Sequence, residues 1–233
     1  ASDVYKRQGK NMKTAQEYQK RLQRHLDELK WLYCELYPGR EDMFTQLCEQ
    51  MEAWYQDRPE SEKKLDRERE QEPAWYSRQD MLGMMLYIDA FAGNLKGVKK
   101  KLPYLEELGV TCIYLNPIFE AHANHRYNTA NYLKADPLLG TNEDFAALCA
   151  EAKKHGIRII LDGVFSHTGS DSLYFNREGR YGPGGAYRDR NSPYRSWYDF
   201  DSGYVGGYRS WWGFETLPEV EEEDPSYGNF VCG

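Results

Sequence analysis

Apolar and polar residues follow two different rhythms along this chain. From Asn11 to about Gln79 a highly charged sequence carries apolar residues at helical spacing, first Leu22, Leu26, Leu29, Leu32 and Leu36, then Met43, Phe44, Leu47, Met51 and Trp54. Residues three and four apart share one face of a helix, so the pattern predicts two or three amphipathic helices over residues 11–80. Pro38-Gly39 separates the first two, and Pro59 opens a third that runs through Leu65 towards Glu72, where Pro73 stops it. Ala1 to Gln8 follow no cap, periodicity or core logic. Asp3 to Gln8 (DVYKRQ) resembles the translated end of a sequencing-library adaptor, so residues 1–10 are set aside as an adaptor-like or disordered start.

The rhythm changes at Met81. Leu82 to Ile88, Thr111 to Leu115 and Arg158 to Phe165 are short apolar runs suited to buried strands. Between them, Leu95 to Leu108 and Asn142 to His155 have helix patterns, the second opened by Thr141 as N-cap. This order implies right-handed βαβ units in a parallel sheet, an α/β fold. Two such units fit a doubly wound sheet or a barrel. After Phe165 the alternation stops, and residues 166–233 are rich in Gly, Tyr, Ser, Asp and Arg. So long an excursion implies an inserted subdomain or a substrate-binding segment.

Composition narrows the partners. With 37 acidic against 30 basic residues the formal charge is -7, which argues against a nucleic-acid footprint or a polybasic membrane patch and favours an uncharged partner. Aromatic residues make up 15% of the chain and concentrate between Tyr174 and Trp212. That density fits sugar binding, where rings stack on the apolar face of a pyranose, and fits an aromatic-rich core equally well. Cys34, Cys48, Cys112, Cys149 and Cys232 show no C-x-x-C spacing and no His partner, so no metal site is expected. The odd count and the lack of a signal-like apolar run imply a cytoplasmic protein.

In parallel α/β folds ligands collect at the C-terminal ends of the strands. Three stretches qualify: Asn116 to Tyr132 (NPIFEAHANHRYNTANY), Asp162 to Gly169 (DGVFSHTG), and the aromatic excursion. Asp162 lies in an apolar run and must have hydrogen-bond partners there, as a functional carboxylate or as a structural one accepting backbone N–H groups. His167 is either a polar ligand for hydroxyl groups or an ordinary capped histidine.

Together these segments carry a resemblance. Phe91-Ala92-Gly93-Asn94-Leu95-Lys96-Gly97, Leu105-Glu106-Glu107-Leu108-Gly109-Val110 and Leu115-Asn116-Pro117-Ile118-Phe119 resemble the opening of an α-amylase-superfamily barrel. His125-Arg126-Tyr127-Asn128-Thr129-Ala130-Asn131-Tyr132 resembles that superfamily's G-Y-D-T-x-D-Y loop, and Asp136-Pro137-Leu138-Leu139-Gly140-Thr141 its following turn. Asp162-Gly163-Val164-Phe165-Ser166-His167 resembles its D-x-V-x-N-H region. The resemblance implies an incomplete (β/α)8 TIM barrel. A helical region, residues 11–80, precedes about three barrel strands, residues 81–165, and the start of the subdomain inserted after strand 3, residues 166–233.

By the same resemblance Tyr127 is the stacking platform for the cleaved sugar, His167 bonds its hydroxyls, and Asp162 is the buried carboxylate organising the site. Ser166 stands where many members have a calcium-binding Asn, and a hydroxyl is a poorer ligand, so no calcium is expected. No cofactor is implied. Residues 12–115 look most like amylosucrase, and residues 116–233 like neopullulanases and cyclomaltodextrinases, through Gly184-Gly185-Ala186-Tyr187, Ser192-Pro193-Tyr194 and Trp211-Trp212-Gly213-Phe214-Glu215-Thr216-Leu217-Pro218. This mixture suggests a hybrid of two related genes. Asn124 replaces the Asp of the amylosucrase sucrose pocket.

The implied function is retaining glycosyl transfer or hydrolysis, on an α-glucan or a sucrose-type carbohydrate. Such chemistry needs two carboxyl groups about 5 Å apart. In the superfamily they come, with a third Asp, from strands four, five and seven, and no G-x-R-x-D nucleophile pattern follows His167. The acidic run Glu221 to Asp224 reads as a solvated surface. The chain by itself is therefore expected to be inactive, poorly stable and aggregation-prone through its open sheet edges. The alternative is a non-catalytic carbohydrate-binding or interaction module. A nucleotide-binding doubly wound fold is disfavoured, because no Gly-rich loop joins a strand to a helix N-terminus.

Overall fold

The computed structural model describes the backbone of residues 2–232 and the side chains from Thr14 to Cys232. Two compact units divide between Tyr76 and Ser77.

The first unit is three helices, α1 (Ser2–Leu36), α2 (Glu41–Asp57) and α3 (Glu60–Gln71). Gly39, at φ +79°, turns the chain between α1 and α2, and Pro59 supplies the extended residue before α3. The α1 backbone is already helical at Ser2, in the stretch expected to be an adaptor-like or disordered start. Propagating a formed helix by one residue is far easier than nucleating it, so the strong periodicity downstream carries the helix outward. The leucine row of α1 is not a fully buried stripe: Leu32 and Leu36 are exposed, and Tyr18 and Phe44 are buried instead. Polar contacts supplement this small core. Tyr18 donates to the Cys48 carbonyl at 2.9 Å, Arg21 reaches Glu70 at 2.6 Å, and Arg58 grips Asp66 through two bonds of 2.7 and 2.9 Å.

The second unit opens with β1 (Gly83–Leu86), a five-residue helix α4 (Ile88–Ala92), α5 (Leu95–Glu107) and β2 (Cys112–Leu115). The hairpin β3 (Phe119–Ala121) and β4 (Thr129–Ala135) follows, then α6 (Asn142–Lys154), β5 (Arg158–Leu161) and, after a long irregular stretch, α7 (Pro225–Cys232). The strands β1, β2 and β5 form one parallel sheet in that order, with Leu86, Leu115 and Leu161 side by side. The expected strand runs were longer. The first yields to α4, and the third leaves the ladder at Asp162, so this carboxylate stands just beyond the strand and not inside it.

Both long helices begin on side-chain caps. Asn94 accepts from the Gly97 N–H at 2.8 Å, and Thr141 and Asp144 form a reciprocal capping box. Gly97 must be glycine, because a Cβ there would lie 1.9 Å from the Ala92 carbonyl oxygen. The helices cover one face of the sheet, burying Leu95, Val98, Leu102, Leu105 and Leu148 against Ile113 and Leu115. On the other face Met85 and Ile160 are 68% and 49% exposed. Parallel sheets are ordinarily covered on both faces, and a barrel does this by curling the sheet around its own interior. This three-stranded sheet is not closed.

A second core lies in the aromatic excursion. Tyr132 of β4 packs with Tyr174, Phe175, Trp197, Tyr198, Tyr208, Val220 and Tyr227. Each buried polar tip finds a partner: Tyr132 and Tyr227 donate to the Val164 and Phe165 carbonyls at 2.6 Å, Tyr208 donates to the Glu215 carbonyl at 2.6 Å, and Trp197 donates to Ser226 at 2.9 Å. Most of the excursion's aromatic residues are therefore core. Among the described residues no helix is long and apolar enough to cross a membrane, and no group of three or more His, Cys, Asp or Glu could hold a metal ion.

Candidate functional site

The C-terminal ends of β2 and β5 deliver Asn116 and Asp162, and the loop between β3 and β4 brings Tyr127 over them. The Tyr127 phenol donates to Asp162 Oδ2 at 3.0 Å and lies 3.4 Å from Asn116 Oδ1. Burial, followed by the Asp162 carboxylate, pushes the Tyr127 phenol up to about 12. The residue remains 41% exposed, so the phenol is anchored while Tyr127 stays accessible to solvent. Tyr114 contributes a second phenol to Asp162, and that hydrogen bond raises its titration above the ordinary tyrosine range.

Asp162 itself is half-buried rather than fully buried. It takes hydrogen bonds from two phenols, Tyr127 of the β3–β4 loop and Tyr114 of β2. His167 is buried, with Nδ1 3.1 Å from the Ser166 hydroxyl and Nε2 3.1 Å from the Tyr127 carbonyl. A carbonyl only accepts, so the neutral ring carries its proton on Nε2 and takes the Ser166 proton at Nδ1. Desolvation depresses the imidazole's titration and favours this neutral form. In this arrangement His167 fixes the backbone of Tyr127, and both ring nitrogens already have protein partners.

The three residues singled out from the sequence thus form one connected group. Two further members stand in the motif segments, where the sequence alone assigns them no role. Asn116 is 5% exposed, and its Nδ2 has no protein partner. Arg126, at φ +60°, is buried and reaches Asp136 at 2.8 Å, Asp89 at 3.4 Å and the Asn124 carbonyl at 3.1 Å, locking the loop that presents Tyr127. Beside that loop a cleft of about 410 Å³ is lined by Tyr87, Asp89, Ala90, Asn124 and His125, with the Tyr87 hydroxyl 3.0 Å from His125 Nδ1. Tyr127, Asp162 and His167 stand outside its lining.

Parallel strands joined through helices, with a phenol–carboxylate pair above their C-terminal ends, give this unit the arrangement of part of an α/β domain whose ligand site lies at the strand ends. Residues 41–231 match the family described as alpha amylase, catalytic domain, and the chain belongs to that family. It is 48% identical over 155 residues to an amylopullulanase of Thermoanaerobacterium saccharolyticum, a match covering 61% of this chain and 12% of that protein. It is 46% identical over 99 residues to neopullulanase 2 of Thermoactinomyces vulgaris, covering 42% of this chain and 17% of that one. Among solved structures it resembles the cyclic alpha-maltosyl-(1→6)-maltose hydrolase of Arthrobacter globiformis, with 28% identity and a TM-score of 0.56, over 65% of this chain and 40% of that one. The chain therefore spans a minor part of each of these relatives.

Proposed function

We propose that this chain supplies the sugar-holding part of a retaining α-glucan hydrolase, and that it binds α-glucan without cleaving it. The observation that carries the reading is the Tyr127–Asp162 bond: an exposed tyrosine whose ring is held by its hydroxyl at the strand ends suits stacking against a glucosyl residue. Asp162 orients the phenol and His167 orients the backbone beneath it. The amylopullulanase and neopullulanase relatives bear names of α-glucan-active enzymes, which supports glucan over sucrose as the ligand. Asn124, standing where sucrose-using relatives carry an Asp, favours the same choice.

Turnover would require a nucleophile and an acid/base pair close together. No G-x-R-x-D segment occurs within the chain, and Glu215, Glu219 and Glu221 are engaged by Arg177 and Arg209 on the surface. Calorimetric titration with maltoheptaose, paired with a reducing-sugar assay, tests both parts. Measurable binding by the chain, its loss in Tyr127→Ala, and no release of reducing ends are expected. Release of reducing ends by the purified chain would overturn the non-catalytic part, and absence of binding would overturn the glucan part.

A further inference from the structure

Trp211 and Trp212 stand apart from the buried aromatic residues that precede them. Their rings are stacked, 4.9 Å apart and inclined by only 7°. Trp212 is 82% exposed and sits at φ +51°, a left-handed backbone conformation that bulky L-residues rarely adopt. Holding an indole in solvent on a strained backbone sacrifices stability twice, and such strain concentrates where it serves binding.

The segment that does this is well pinned. Trp211 N–H donates to the Leu217 carbonyl at 2.9 Å, Leu217 N–H to Phe214 at 2.8 Å, and Gly213 N–H to Ser210 at 3.1 Å. Backbone bridges pair Ser210 with Pro218 and His167 with Glu219, so the base of this loop is joined to the His167 segment. The Trp211 ring in turn packs on the His167 imidazole with centroids 5.2 Å apart, and that imidazole holds the Tyr127 carbonyl. The exposed indole is thus coupled through two packed rings to the platform tyrosine.

We propose that the open face of Trp212 is a second stacking subsite, which takes a further glucosyl unit of the same α-glucan whose first unit rests on Tyr127. The proposal rests on the α-glucan reading above. An indole already stacked on Trp211 offers the apolar face of a pyranose a large contact at little conformational cost, and a heptasaccharide has more units than a disaccharide with which to occupy both rings.

The test compares maltose and maltoheptaose binding by the chain, using calorimetry, for Trp212→Gly, Trp212→Tyr and Tyr127→Ala. Glycine is at ease at φ +51°, so in Trp212→Gly the relieved backbone strain offsets the lost stack on Trp211, and its thermal midpoint is expected to stay close to that of the parent. Affinity for maltoheptaose should fall about tenfold in Trp212→Gly, recover in part in Trp212→Tyr, and leave maltose binding unchanged. If Trp212→Gly binds maltoheptaose like the parent while Tyr127→Ala does not, Trp212 is no subsite and the platform reading survives. If the parent binds neither sugar, the α-glucan reading falls and takes this inference with it. If the parent dimerises in sedimentation, Trp212→Gly is monomeric and glucan affinity is unaltered, the pair is a contact between copies and the inference is overturned.

Discussion

Arg126 and Asp136 form a buried ion pair, Nε to Oδ2 at 2.8 Å, with their side chains 5% and 4% exposed. It ties the loop that presents Tyr127 to the turn after β4, where Asp136 also accepts the Leu138 N–H at 2.8 Å. Removing one partner strands the other charge in the interior. Arg126→Met is therefore expected to destabilise the second unit by about 3–5 kcal/mol in urea denaturation. Adding Asp136→Asn should cost much less than the sum of the single changes, because the stranded charge is then gone.

The capping box at α6 makes a smaller, local contribution. Thr141 accepts the Asp144 N–H at 3.2 Å and Asp144 returns a bond to the Thr141 N–H at 3.3 Å. Thr141→Ala should lower stability by about 1 kcal/mol, and Thr141→Ser should recover most of it, as read from denaturation midpoints.

Thr141 was legible in the sequence and Arg126 was not, for a physical reason. A cap, a Pro-Gly break and a helical stripe are written within one or two turns of chain, so α2, α3, α5 and α6 emerged close to their observed bounds. The Arg126 pair depends on a hairpin, and that hairpin leaves little periodic trace: β3 has three residues and pairs with β4 through register shifts at Glu120. The five-residue α4 is shorter than any periodicity can reveal. Composition could not separate Tyr174 and Phe175, which build the second core, from Trp212 and Tyr127, which face solvent, because burial is decided by the whole assembly. The segments that hold Tyr127, Asp162 and His167 were legible from their place at the strand ends, and only the family resemblance suggested a role for each residue, because a lone Asp or His carries no such information.

Acid should weaken the chain partly through His167. Its imidazole titrates below the ordinary value of 6.5 because burial disfavours the cation, while Glu219 and the Tyr127 carbonyl pull the other way. The unfolded state therefore takes up a proton first as pH falls. The stabilisation from neutral His167 is complete above about pH 6.5 and is lost progressively below it, down through the folded-state titration. Urea denaturation at pH 7.5 and 5.5 should show a smaller pH difference for His167→Asn than for the parent chain. An unchanged difference would exclude this origin.

Alkali should act on the aromatic core with the opposite sign. Burial raises the phenols of Tyr174, Tyr208 and Tyr227 to about 12 from an ordinary value of 10, and raises those of Tyr132 and Tyr198 further. Groups whose protonated form is favoured by folding stabilise fully below the unfolded value, so this contribution persists up to about pH 10 and is lost as pH rises towards 12. Solvent-exposed phenols as a class should ionise without unfolding, whereas the core phenols should ionise together as the second unit opens. Phenolate absorbance followed alongside circular dichroism distinguishes the two classes. The expected record is a gradual rise near pH 10 with unchanged ellipticity, then a cooperative rise that coincides with its loss. Tyr227→Phe removes the bond to the Phe165 carbonyl along with one titrating group. It should lower neutral-pH stability by about 1 kcal/mol and make the alkaline transition shallower.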